Sequence, residues 1–127
     1  MNRSITITAA LFGMVAVMTG AFGAHGLKTM IAPDQLQIWH TAVEYNFYHA
    51  FALLFLAVLA KGNNSWITAS YYLFTVGIIL FSGSLYLLAC RDILHLKASI
   101  LGPITPIGGL LFIGGWASLA IAASRSK

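Results

Sequence analysis

Four long apolar runs separated by three short polar breaks account for nearly the whole chain: Ser4 to Ala24, Thr41 to Ala60, Ile67 to Ala89 and Ile100 to Ala123. Each has about the 20 residues a helix needs to cross a hydrocarbon core of roughly 30 Å. The first break, residues 25–40, is the longest. Within it Pro33 and Asp34 suit a first helical turn, and Leu36, Trp39 and Val43 then share one face, which predicts a short interfacial helix running on into the second span. Trp39 and Trp66 fall near opposite membrane boundaries, where indoles concentrate, and "KGNNSW" (61–66) reads as a turn. The third break, residues 90–99, leads to "LGPITPIGG", where Thr105 reads as an N-cap and Pro106 as the first helical residue. The pattern predicts an all-α membrane protein: a four-helix transmembrane bundle forming a single integral membrane domain over 1–127. Its spans fall at about 4–24, 41–60, 67–89 and 105–123, with the interfacial helix between the first two. The run after Arg3 is read as a retained span rather than a cleaved leader, despite the small residues of "AFGA" (21–24).

Composition supports this. Hydrophobic residues make up 59% of the chain and charged residues only 8%, against about 25% charged in soluble domains. The net charge of +4 comes from residues scattered over termini and connections, unlike the clustered basic face of a nucleic-acid binder. Four spans put both termini on the side of the 61–66 turn. Arg3, Lys61, Arg125 and Lys127 lie there, against Lys28, Arg91 and Lys97 opposite, so the excess of positive charge places the termini in the cytoplasm. Cys90 has no partner spacing for a metal knuckle and reads as a small packing residue.

Small residues recur at helical spacing. Ala9, Gly13, Ala16, Gly20 and Gly23 form one stripe in the first span; Ser70, Gly77 and Ser84 repeat every seven residues in the third, and Gly108, Gly115 and Ala122 in the fourth. In lipid such stripes let backbones approach, so they are expected packing faces. They do not distinguish a partner helix of the same chain from one of a second copy, which leaves a homo-oligomer open.

The polar residues of the second span are the candidate chemistry. His40, Glu44 and Tyr48 share one face, and Tyr45 and His49 lie round the helix from it. Topology brings His25, Lys28, Tyr86, Arg91 and His95 to the same end of the bundle. A carboxylate in hydrocarbon costs several kcal/mol unless paired, so Glu44 is expected to meet His25, Arg91 or Tyr86 and to staple helices together. The expected cluster is thus His25, His40, Glu44, Tyr48, His49, Tyr86, Arg91 and His95. Two sharper readings stand beside it: a divalent metal held by His25, His40 and Glu44, and a proton or small-solute path through Glu44 and His49. No metal or other cofactor is assigned, because the His40–Glu44 spacing is a half-site only. No nucleophile motif, phosphate loop or second intramembrane carboxylate points to an enzyme.

Four stretches carry a resemblance: "GAFGAHGL", "WHTAVEYNFYHA", "FSGSLY" and "TPIGGLLFIGGW", in that order along nearly the whole chain. Together they closely resemble bacterial membrane proteins grouped as domain of unknown function 423, also called uncharacterised protein family 0382 and similar to the eukaryotic transmembrane protein 256. The resemblance implies a small multi-pass protein of the plasma membrane, with no catalytic residues to carry over. The expected function is therefore that of a non-enzymatic inner-membrane protein in contact with membrane lipids. Its polar cluster locks the helices and shapes a lipid or partner site, the alternative being a small transporter or channel subunit using Glu44 and His49.

Overall fold

The computed structural model describes residues 2–61 and 64–126; Gly62 and Asn63 of the expected turn, and Lys127 of the charge count, lie outside the described residues. Among the described residues six α-helices follow one another: α1 (Arg3–Ala24), α2 (Pro33–Leu59), α3 (Ser65–Ala89), α4 (Arg91–Leu94), α5 (Ala98–Leu101) and α6 (Ile104–Ser124). A 3-10 turn at Leu27–Thr29 links α1 to α2. Helices α1, α2 and α3 and the stretch Ala98–Ser124, made of α5 and α6, are each long and apolar enough to cross a membrane.

Local chemistry explains the helix starts. Asn2 Oδ1 accepts from the Ile5 amide at 3.1 Å, and Asn64 Oδ1 accepts from those of Trp66 and Ile67, capping α1 and α3. Pro33 opens α2, where its missing N–H costs nothing, and Gln35 Oε1 takes the Ala32 amide at 3.1 Å. The expected interfacial helix is the first turns of α2, continuous with the rest. At 27 residues α2 is about 40 Å long, so it must project beyond a core of roughly 30 Å. The fourth helix differs from expectation. It begins at Ile104 rather than after a Thr105 cap, and the Thr105 hydroxyl instead bonds Ser84 Oγ on α3 at 2.7 Å. Pro106 falls in the first turn, where no carbonyl partner is lost.

The long helices pack antiparallel in chain order, and two seams depend on missing side chains. Along α3 and α6, a Cβ on Gly108 would stand 2.5 Å from the Phe81 backbone nitrogen. One on Gly115 would stand 2.6 Å from the Phe74 ring, and one on Gly77 would stand 2.6 Å from Phe112. Three phenylalanines thus sit in three glycine hollows, and Ser70 Oγ donates to Gly115 O at 2.8 Å across the same seam. Between α1 and α2, a Cβ on Gly23 would stand 2.6 Å from the Trp39 indole and one on Gly20 3.4 Å from Val43, and Ala9 and Ala16 are buried. Gly13, placed by its spacing in this stripe, has nothing within 4 Å of its missing Cβ and is not part of the seam.

This difference predicts opposite outcomes for the same substitution. Gly108→Ala should lower stability by about 1–3 kcal/mol through overpacking against backbone. Gly13→Ala should be neutral or raise stability by up to about 1 kcal/mol through helix propensity. Thermal unfolding of both variants in detergent checks the contrast.

Candidate functional site

The buried face of α2 runs through Gln35, Trp39, Ala42, Asn46, His49, Leu53 and Leu56, in alternating steps of four and three that keep one stripe toward the bundle. Four of these side chains are polar or carry a polar tip, and each meets a partner on another helix.

At the surface where the 25–32 and 90–103 connections lie, here the connection side, Gln35 is 3% exposed and donates from Nε2 to Asp92 Oδ2 on α4 at 2.7 Å. One turn deeper, Trp39 Nε1–H donates to Thr19 O on α1 at 2.8 Å, with its ring set edge-on against Phe22 and Tyr86. Below it lies the hub. Asn46, 1% exposed, donates from Nδ2 to the Tyr86 phenol oxygen at 2.9 Å, and the Tyr86 and Thr19 hydroxyls are 2.9 Å apart. Thr19 Oγ1 also donates to Ala16 O at 3.2 Å, so the Tyr86 O–H donates to Thr19, and one directed chain runs from α2 through α3 to α1. Ser82 Oγ donates to Ala42 O at 2.8 Å beside it. Asn46 Oδ1 has no hydrogen-bond partner among the described residues.

His49 lies deeper and ties α2 to α6. Its Nε2 accepts from Trp116 Nε1–H at 3.1 Å, and its ring stacks on Phe112 with centroids 3.6 Å apart. An indole N–H only donates, so Nε2 must be the bare nitrogen; Nδ1 then carries the proton and donates to Tyr45 O at 2.9 Å. Both partners therefore suit the neutral ring. Trp116 stands about halfway along α6, far from the boundary where tryptophans concentrate, and this bond supplies the partner its N–H needs there. Beside the pair, a groove of about 570 Å³ opens between α2 and α6 toward the surroundings of the bundle, with Phe81 of α3 behind it.

The expected cluster is only partly assembled. His49 and Tyr86 take part in these contacts, in separate places. Glu44 is exposed, about 200° round α2 from Asn46, and has no hydrogen-bond or ion-pair partner among the described residues. The expected pairing with His25, Arg91 or Tyr86 is therefore replaced: Tyr86 bonds Asn46 and Thr19, and Arg91 Nη1 donates to Leu88 O at 3.0 Å. The physical reason is the face that turns inward: with Trp39 seated at Gly23, Gln35, Trp39 and Asn46 face the bundle and Glu44 falls on the outer side of α2. His40 is half-buried near Gly23, Tyr48 is exposed, and His25 is exposed at the end of α1. His95 is exposed and ends α4 with a left-handed backbone (φ 56°). Among the described residues no three His, Cys, Asp or Glu side chains come together as a metal site would require, so His25, His40 and Glu44 do not converge. Cys90 packs against the cluster of Leu27, Trp39 and Ala89, and burial pushes its thiol up. Sequence reasoning missed Gln35, Asn46, Thr19, Ser82 and Asp92. The signal that could have found the first two was the four-three spacing from Trp39.

Stability should separate the two descriptions of this region. Tyr86→Phe removes the centre of the chain and should cost about 1–2 kcal/mol, whereas Glu44→Gln should stay within about 0.5 kcal/mol of wild type in detergent unfolding.

Among known proteins, the sequence profile of a family described as protein of unknown function (DUF423) matches residues 19–109. A UPF0382 membrane protein of Bacillus subtilis, YwdK, is 48% identical over 122 residues, covering 94% of each chain. One of Staphylococcus aureus is 47% identical over 94% of this chain and 93% of its own, and one of Haemophilus influenzae is 40% identical over 99% and 97%. No solved structure matches the chain. The chain belongs to the DUF423, or UPF0382, family of membrane proteins.

Proposed function

We propose that this member of the family is a non-catalytic component of the plasma membrane, the inner membrane of a bacterium. In this reading its polar interior locks four helices into one register, and the register in turn shapes a lateral groove for a lipid or partner. Both termini lie in the cytoplasm, by the excess of Lys and Arg on that side. The observation that carries the reading is the chain Asn46–Tyr86–Thr19: the Asn46 amide N–H and the Tyr86 and Thr19 hydroxyls are spent on one another across three helices. Groups arranged to pass a solute would line a wetted path instead.

The alternative of a proton, metal or solute route through Glu44 and His49 has less support. Glu44 faces outward, and both ring nitrogens of His49 are engaged by groups that suit its neutral form. Reconstitution into liposomes loaded with a pH-sensitive dye tests the choice. Proton flux under an imposed gradient should equal that of protein-free vesicles, with and without added Zn²⁺. Flux above that level which Glu44→Gln or His49→Ala abolishes would overturn the reading in favour of transport.

A further inference from the structure

The groove between α2 and α6 is built differently from the rest of the lipid-facing surface. Its floor is aromatic: Tyr45, His49, Phe81, Phe112 and Trp116 line it, with His49 and Phe112 stacked and Tyr45 tilted against Phe81 at a centroid distance of 4.7 Å. Two of its three polar side chains are satisfied internally, while the exposed Tyr45 hydroxyl has no hydrogen-bond partner among the described residues. Trp116 N–H goes to His49, and the other His49 nitrogen goes to a backbone carbonyl. The rim on α6 is Leu110 and Ile113, each 66% exposed. Because α2 and α6 start from the same surface, the groove runs inward from Pro106 to Trp116, ten residues apart and so about 15 Å. That is half of a hydrocarbon core of roughly 30 Å, the depth of one leaflet. The outer end adjoins the start of α6, next in the chain to the 90–103 connection. Within that connection Arg91 and Lys97 stand against Asp92, a net charge of +1, and Lys97 is exposed.

We propose that this groove holds one acyl chain of a phospholipid from the leaflet on the connection side, the phosphate lying toward the Lys97 connection. The inference deepens the lateral-groove part of the function proposed above and rests on it. A dry, aromatic, leaflet-deep trough holds a saturated or singly unsaturated chain by contact area alone, and its volume of about 570 Å³ is that of an ordinary small-molecule site. The phosphate and the basic connection supply charge complementarity at the mouth, and no partner helix has to be supplied.

The test fills the groove from within. Gly109 lines it, and a Cβ there would come no closer than 3.9 Å to the Phe81 ring, so Gly109→Leu fits the fold while occupying the trough. Gly13→Leu, on the open face of α1, is the matched control. Protein from vesicles of phosphatidylethanolamine and phosphatidylglycerol is extracted, passed through repeated detergent exchange and examined by native mass spectrometry. Wild type and Gly13→Leu should each retain one phospholipid per chain, and Gly109→Leu at least tenfold less at an unchanged thermal midpoint. If Gly109→Leu loses stability, Ile113→Trp, which adds bulk at an exposed rim position, takes its place. Equal retention by all variants, no retention by wild type, an isoprenoid in place of the phospholipid, or a dimer whose contact the groove variants disrupt would each overturn the proposal. Such a failure leaves the helix-locking reading standing, because that reading is decided by flux and by the Tyr86→Phe midpoint rather than by bound lipid.

Discussion

The close approach of α3 and α6 is the constraint on which the rest of the molecule depends. Lipid tails are as apolar as the side chains they contact, so helices in a bilayer gain nothing from hiding leucine and must gain from van der Waals contact and hydrogen bonds instead. Gly108, lying against the backbone at Phe81, brings the two axes to a distance that any side chain at that position would prevent. Phe74 and Phe112 then fall into the hollows at Gly115 and Gly77, fixing the register of one helix against the other. Hydrogen bonds at both ends of the seam, Ser70 to Gly115 and Ser84 with Thr105, are short because the approach is close.

Everything on the α2 side inherits that register. Phe112 is simultaneously the knob in the Gly77 hollow and the platform beneath His49, so the position of α6 decides where the imidazole stacks and whether Trp116 can reach it. Further out, Tyr86 on α3 receives Asn46 from α2 and gives its proton to Thr19 on α1, so a single phenol joins three helices. Helix α1 is the least embedded of the four spans, and its ties to α3 are two hydroxyl pairs, Thr8 with Tyr71 and Thr19 with Tyr86. Each such bond is worth about 0.6–2 kcal/mol in a membrane, so their effect is to select one register among several of similar packing energy rather than to supply most of the stability.

The spans were legible in the sequence because length and apolarity are set by the bilayer and need no knowledge of neighbours. The glycine stripes of α3 and α6 were legible for a related reason: a seven-residue repeat of small residues has one efficient use in lipid. The polar site was not. Glu44 drew attention as the costliest residue, and the rule that buried charge must be paired then assigned it partners. That rule presupposes burial, and burial depended on which face Trp39 turns inward. Once Trp39 is seated against Gly23, a step of seven places Asn46 inside and leaves Glu44 outside. Asn46 carries no charge and breaks no pattern, so nothing in its chemistry marked it. Gln35 and Asp92 are 57 positions apart, and only the returning connection brings them together.

The dryness of the α2–α6 groove follows from the same arrangement. A tryptophan and a histidine near the middle of a membrane would ordinarily each demand water or a polar partner, and together they would make the surface a wet one. Here each answers the other's demand: the indole supplies the donor, and the imidazole, having given its own proton to the Tyr45 carbonyl, supplies the acceptor. What faces the bilayer is then chiefly the aromatic area of Tyr45 and Trp116, with the buried His49 and Phe112 rings stacked behind it. His49, which first suggested a proton or small-solute path, thus has the opposite consequence, removing polarity from a concave surface of about 570 Å³.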